Sequence, residues 1–560
     1  MAVSDDVGEA VARSRASRER VQQTVPDVGD AWRWYDVAQR LQRFSYKLPK
    51  RYRRPRVAFD ALSRLVNLGY AYHQHAENFA WDHDDPMYNL HVPTEEHVKN
   101  IGLWVVELFP PSEFASLTAS IHKNAWDNQR QWLLGHRSNE EFLHDSRVTR
   151  GVEWWNLATI ADVDSNIFAP DATRETTPRP FQSIDLRAIH VGAGLTAVVA
   201  HFRFKESSSD DLDSVLHGPH EPRLIHQNGK RPVADNRLFS AYRTTQEVRA
   251  AQHDTARAWM KKRCPGFFAS HDEPQLLLDL LLLDSSSPFQ QEPPSRDERE
   301  TIRALGIQNV LFFSSESLPQ LALSVQSVDL TPGMPARNTW TLWGNSSASV
   351  GAAERLDIYG EPSAYGLGEH VGRLVRSFLV KLSLNTFIDV SERLYSTSRD
   401  EARVGHRSFT TKSLDALRAQ LLTLSLDLTS ITDDVKSYWS RKYVTEPEIE
   451  FSRITAPWLE AAHREHGQSP IPAWNFNKHM QKEQLKRLRM LREADAEYRG
   501  LLATVASLGA SIDASRLGRR ALWASIASLV VAVVAVLSAS VTGSSIGADV
   551  WMFMQHLLAR

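Results

Sequence analysis

The sequence predicts an α+β chain with a largely helical N-terminal domain, a long helical hairpin or coiled-coil stalk, and one C-terminal transmembrane helix. Three observations carry that expectation. Helically spaced apolar residues lie among many tryptophans before residue 165, two apolar arms flank a Gly192-Ala193-Gly194 turn, and a leucine stripe precedes an uncharged apolar run. The 560 residues leave room for several units of roughly 150 residues each. A composition of 42% hydrophobic and 24% charged residues excludes a wholly disordered chain. The formal charge of −2 supplies no global field that would draw the chain to nucleic acid, which is therefore not an expected partner. A single cysteine, Cys264, excludes an internal disulfide and fits a reducing compartment.

Residues 1–26 are polar, contain no apolar core and read as a flexible N-terminus without a secretory signal. Residues 27–165 read as a Trp-rich helical domain, with Trp32, Trp34, Trp81, Trp104, Trp126, Trp132, Trp154 and Trp155. The segments AFDALSRLVNLGYAYHQ and HVKNIGLWVVELF both space their apolar residues like helices. Pro110-Pro111 stops a helix, and the proline-rich stretch up to Phe181 forms a boundary loop. Residues 183–345 then read as an α+β domain. Ser183–Val191 and Leu195–Phe204 are the arms of a β-hairpin, because Val198, Ala200, Phe202 and Phe204 alternate along the second arm. An amphipathic helix spans about Phe239 to Arg263 and ends at Pro265-Gly266. Leu276–Leu283 is an apolar run that fits either a buried strand or part of a helix, and Val310–Phe313, Leu321–Val328 and Thr339–Trp343 read as strands.

Residues 364–443 turn helical. Leu414, Leu417, Leu421, Leu424, Leu428, Ile431, Val435 and Tyr438 recur in steps of three and four, the a/d seam of a coiled coil or a long bundle hairpin. After a loop containing Pro447, Pro457, Pro470 and Pro472, residues 475–520 form a second long helix, the stalk, that runs into the apolar span at 521–541. That span reads ALWASIASLVVAVVAVLSASV, including Ala521, Trp523, Ser528 and Val541, and would cover about 30 Å as a helix, the thickness of a bilayer core. Arg516, Arg519 and Arg520 precede it, whereas the short tail at 542–560 carries few charges, so the positive-inside rule places the N-terminal bulk in the cytoplasm. The expected location is the inner or plasma membrane, as a single-pass, tail-anchored protein whose partners are the lipid bilayer and further copies of itself. Ala524, Ser528 and Ala532 are small residues at a spacing that favours helix–helix approach in lipid.

The densest set of metal-ligand types is YHQHAENFAWDHDDPMYNLH, from which His73, Glu77, Asp82 and His91 are the candidate ligands. His73 and Glu77 share a helix face at i, i+4. The chain has no GxSxG, no Walker P-loop and no GxGxxG, and its Gly366, Gly368, Gly372 series is one residue too long for the last of these. These motifs leave the cofactor unknown.

A strand hairpin (IDLRAIHVGAGLTAVVAHFRF), then long helices, then a helix running into a C-terminal span resembles the layout of CorA-type divalent-cation channels. The resemblance covers residues 183–560 and implies a symmetric membrane oligomer, since such channels are homopentamers in which the stalk helix continues into the pore-lining span. Val541-Thr542-Gly543-Ser544 stands where those channels carry a Gly-Met-Asn signature, and Ile546–Ala559 is short and polar for a second span, so cation selectivity is not carried over. The expected function is a membrane-anchored cytoplasmic sensor, scaffold or effector that self-associates. The alternatives are a degenerate CorA-like ion conductor and a metal-dependent hydrolase built on the His73–His91 cluster.

Overall fold

The computed structural model describes residues 71–539, except 73, 77, 80–87, 129–137, 150–153, 166–171, 226–231, 327–336, 354–355, 360, 406–410, 441–447 and 470, together with residues 551, 555 and 556. The expected flexible segment 1–26, four of the tryptophans (Trp32, Trp34, Trp81 and Trp132) and Val541 lie outside the described residues.

In chain order the first elements are β1 (Val98–Phe109), α1 (Phe114–Lys123), α2 (Asn139–Thr149), β2 (Trp154–Ala161), β3 (Thr173–Arg174), β4 (Phe181–His190) and β5 (Thr196–Phe204). There follow α3 (Glu206–Leu216), β6 (Arg223–Ile225), β7 (Val233–Asp235), α4 (Arg237–Arg263), α5 (Phe267–Ser270), β8 (Leu276–Leu283), α6 (Arg296–Ala304), β9 (Leu311–Ser315), β10 (Leu318–Val325) and β11 (Thr339–Asn345). The chain continues with α7 (Ser346–Ala352), α8 (Ala364–Gly405), α9 (Thr411–Ser440), β12 (Ser452–Thr455), α10 (Pro457–Glu465), β13 (Trp474–Asn475) and α11 (Phe476–Ala539).

The expected fold class is overturned. A mixed eleven-stranded sheet, ordered β13-β12-β9-β10-β11-β8-β1-β5-β4-β2-β3, organises the chain where a largely helical N-terminal domain was expected. The segment read as a helix around Trp104 is β1, the strand between β5 and β8, antiparallel to both. From Leu103 to Phe109 every residue of β1 is buried. A strand covered on both faces shows a continuous apolar run rather than an alternation, and such a run is indistinguishable by period from a buried helix. The Leu276–Leu283 run resolves the same way: β8 is buried at all 8 positions and pairs with β1 on one side and, in parallel, with β11 on the other. β4 and β5 form an antiparallel pair in which His190 faces Thr196 across the Gly192–Gly194 turn.

Helices cover both sheet faces. On one face Tyr242 and Val248 of α4 pack with Leu281 and Leu283 of β8, while Ala256, Trp259 and Met260 pack with Leu103 and Val105 of β1. Helix α4 begins with the Asn236 side chain accepting from Phe239 N at 2.8 Å and stops before Pro265, which lacks the N–H a helix needs. On the other face α8 crosses β1 at glycines. A Cβ at Gly372 would come within 3.1 Å of the Trp104 indole nitrogen, so the glycine series serves close helix–sheet approach.

The chain divides into two compact units: residues up to Ser391 with Leu426–Arg489, and Glu392–Ser425 with Met490 onward. In the first unit, the second half of α9 is bound to the sheet domain by its own chain. Asp427 accepts from the Ser112 backbone N–H at 3.1 Å and hydroxyl at 2.5 Å. Asp434 accepts from Gly194 N at 2.7 Å and Leu195 N at 3.1 Å, and a Cβ at Gly192 or Gly194 would overlap Asp434 or Ser430. Leu428, Ile431, Val435 and Tyr438 are buried, and the Tyr438 hydroxyl lies 3.0 Å from Ser377 Oγ on α8. The expected coiled-coil stalk is corrected accordingly: these four positions of the heptad seam are covered by the chain's own body. Leu424 is half-buried, and the side chains of Leu414, Leu417 and Leu421 lie outside the described set. In the second unit Asp495 joins three helices, accepting from Tyr395 Oη at 2.9 Å and Ser425 Oγ at 2.8 Å while pairing with Arg499 at 2.8 Å.

Candidate functional site

One helix combines buried, hydrogen-bonded side chains with a long exposed apolar surface. Helix α11 runs for 64 residues without interruption. Its first residue, Phe476, packs its ring 4.4 Å from Phe313 and 5.8 Å from Trp340. The next residue, Asn477, donates to Ile449 O at 2.7 Å, and about two turns further on the buried Gln484 donates to Lys381 O at 2.7 Å while accepting from Trp439 Nε1 at 2.9 Å. The distal part of the same helix is the reverse. Leu517–Ala535 has a mean hydropathy of 1.6 over 19 residues and is 0% buried. Ala521, Trp523 and Ser528 are all exposed there, Trp523 at 69%, together with Leu529, Val530, Val531 and Val533. Among the described residues this is the one helix long and apolar enough to cross a membrane, spanning about 28 Å. Proteins in water rarely leave a continuous apolar surface of this kind uncovered. Arg519 and Arg520 are exposed at its start, and the side chain of Arg516 lies outside the described set.

Of the candidate metal ligands, His73, Glu77 and Asp82 lie outside the described residues, and His91 is half-buried. Their neighbour His75 is buried, and burial pushes its imidazole down to about 4, so it stays neutral.

Two other sets of ligand types converge among the described residues. The first is Asp185 on β4, His201 on β5 and Glu369 on α8. A guanidinium already fills its centre: Arg203 is hydrogen-bonded to Asp185 and Glu369 and donates to Ser183 Oγ at 2.9 Å. Burial disfavours the Glu369 carboxylate, but Arg203 outweighs it and holds the carboxyl below its usual range. His201 stacks 4.5 Å from Trp104 and is pushed down to about 3, chiefly by burial and then by Arg203. The arrangement fastens α8 to the sheet and leaves a cation no position between the carboxylates. The second set is His97, Asp213 and His217, at the surface where β1 starts and α3 ends.

Two further polar groups lie in the core. Arg249 and His253 on α4 both reach Asp279 of β8, at 2.6 and 2.9 Å, and all three are buried. Glu107 of β1 accepts from Phe268 N at 2.7 Å and Gln275 Nε2 at 3.0 Å. Burial nevertheless pushes its carboxyl up to about 7, and burial together with Glu107 raises the Cys264 thiol, which makes that thiol a poor nucleophile. Because the folded value of Glu107 lies above the ordinary 4.5, the stability it favours is complete below 4.5 and is lost as pH rises through about 7. The wild-type chain is therefore expected to lose up to ~1.4 kcal/mol per pH unit across that window relative to Glu107→Gln, read as the difference in urea midpoints at about pH 5 and about pH 8. Parallel pH profiles of the two chains would refute this.

Sequence reasoning missed every one of these clusters. The local signals are the four-residue spacings of Asp213 with His217 and of Arg249 with His253, whereas His97 lies 116 residues from Asp213. Comparison with protein-family models, curated proteins and solved structures finds no match to this chain.

Proposed function

We propose that this chain is a single-pass membrane protein whose sheet domain is a cytoplasmic sensing or binding module and whose span self-associates. The observation that supports this most directly is helix α11, held at one end by Phe313, Trp340 and the Lys381 carbonyl, exposed from Leu517 to Ala535, and without a charge from Ala521 to Ala535. An exposed segment of that length and hydropathy requires lipid or protein to cover it. The arginines at 516, 519 and 520 favour the orientation with the sheet domain on the cytoplasmic face of the inner or plasma membrane. The resemblance to CorA-type channels, with a long helix running from an α/β domain into the bilayer, extends the proposal to a symmetric oligomer.

The test is fractionation of the full chain followed by carbonate washing, protease protection and mass measurement in detergent. The expected result is a carbonate-resistant membrane protein whose sheet domain is digested only from the cytoplasmic side, with a mass in detergent above that of one chain. Recovery in the supernatant would remove the membrane reading, protection from the cytoplasmic side would reverse the orientation, and a monomeric mass would remove self-association.

A further inference from the structure

We infer that His97, Asp213 and His217 form a binding site for a zinc-type divalent metal ion, independent of the anchoring proposed above. His97 immediately precedes β1, Asp213 lies on the last turns of α3, and His217 is the residue that caps that helix. Folding alone brings them together, since His97 and Asp213 are 116 positions apart. His97 Nδ1 lies 3.0 Å from Asp213 Oδ2, and His217 Nδ1 lies 3.4 Å from Asp213 Oδ1. In a tetrahedral zinc site with bonds of about 2.0–2.1 Å, neighbouring ligand atoms are about 3.3 Å apart, so the His97 Nδ1–Asp213 Oδ2 separation is close to one edge of the coordination shell, and His217 completes the trio beside the other oxygen of the same carboxylate. All three ligand atoms fall within 4.8 Å of one another.

The support around the trio has the form metal sites use. The Val98 N–H donates to Asp213 Oδ1 at 2.8 Å, which fixes the carboxylate while its other oxygen faces His97. The two imidazole rings are 5.4 Å apart and inclined by 32°; His97 turns Nδ1 toward the carboxylate, while His217 Nδ1 lies 3.1 Å from the Asp213 carbonyl oxygen as well as beside its carboxylate, a local bond that a metal would displace. Asp284 and Glu95 lie close enough to act on His97 electrostatically, which adds negative potential for a cation. Among the described residues Asp213 is paired with His97 and His217 and with no lysine or arginine, in contrast to the Asp185–Glu369 set, where Arg203 pairs with both carboxylates. Two imidazole nitrogens with one carboxylate select zinc or a similar transition metal over Mg²⁺ or Ca²⁺, which take oxygen ligands. Three protein ligands at a surface leave the fourth position to water, so the site binds metal reversibly instead of enclosing it.

The experiment strips the purified full-length chain with chelator and titrates it with Zn²⁺ in the presence of excess Mg²⁺, measuring stoichiometry and affinity. The same titration is run on His97→Ala/His217→Ala and, as a surface-histidine control, on His122→Ala. The wild type and the control are expected to bind one more zinc per chain than the double variant. Because even changes beyond the ligand shell cost roughly 10–100-fold in metal affinity, that site is expected to weaken by more than ~100-fold. A tetrahedral Co²⁺ spectrum should appear in the wild type and vanish in Asp213→Asn, which keeps the side-chain shape and so separates ligation from folding. Equal stoichiometry and affinity in wild type and double variant, or a Co²⁺ spectrum unchanged by Asp213→Asn, would overturn the site. Neither readout depends on whether the chain enters a bilayer.

Discussion

Arg249→Ala is expected to destabilise the chain by about 3–5 kcal/mol, more than any exposed ion-pair substitution. Arg249 is fully buried and donates to Asp279 Oδ2 at 2.6 Å, Thr341 Oγ1 at 2.9 Å and the Leu305 carbonyl. It thereby joins α4, β8, β11 and the end of α6 across one sheet face. Burial by itself would push the Asp279 carboxyl up, but Arg249 and His253 outweigh it and hold the group below its ordinary range. Truncating the guanidinium leaves Asp279 buried with its main counter-charge gone. The sign of the pH dependence follows. A depressed carboxyl contributes stability that is present above its unfolded value and lost on acidification, so Arg249→Ala should narrow its gap to wild type as pH falls below about 4. Urea unfolding of the detergent-solubilised chain at neutral and acid pH measures both effects. Lys261→Ala, which breaks the exposed Lys261–Asp272 pair, should leave the midpoint where it is. A loss below about 1 kcal/mol in Arg249→Ala would show that the network is not what holds α4 to the sheet.

Leu529→Arg combined with Val533→Arg is expected to release the chain from membranes. Both residues are exposed in the middle of the apolar segment, at 65% and 50%. An arginine at the centre of an inserted helix costs about 2.5–3.5 kcal/mol on the insertion scale, so the pair costs about 5–7 kcal/mol. The fraction resisting carbonate extraction should fall steeply, whereas Leu529→Ile with Val533→Leu should leave it unchanged. If the double arginine chain stays carbonate-resistant, protein and not lipid covers Leu517–Ala535. The two predictions are separable, because Arg249→Ala should destabilise the sheet domain without affecting partitioning into the membrane.

The sheet illustrates why secondary structure was only partly legible. β5 could be read because Val198, Ala200, Phe202 and Phe204 alternate beside a Gly-Ala-Gly turn. β1 could not, because α4 and α8 cover both its faces and its apolar run then has no period of its own. Helix α4 hid the opposite problem. Arg243, Thr245, Gln246, Arg249, Gln252 and His253 are polar letters that read as a solvated face, yet all are buried, and Asp235 and Asp279 partner the charged ones. Along α9, Leu428, Ile431, Val435 and Tyr438 repeat like a coiled coil because any helix with one covered face repeats this way, and the pattern does not name what covers it.

The sequence by itself determined the apolar helix that, among the described residues, is long enough to cross a bilayer, because length and composition within a single local segment suffice for that property. Tertiary structure alone decided the order of the eleven strands, the placement of Arg249 against Asp279 and of Arg203 between Asp185 and Glu369, and the meeting of His97 with Asp213 and His217. Those features join residues distant along the chain. Their energies depend on burial and on partner distance, which no local pattern of letters encodes.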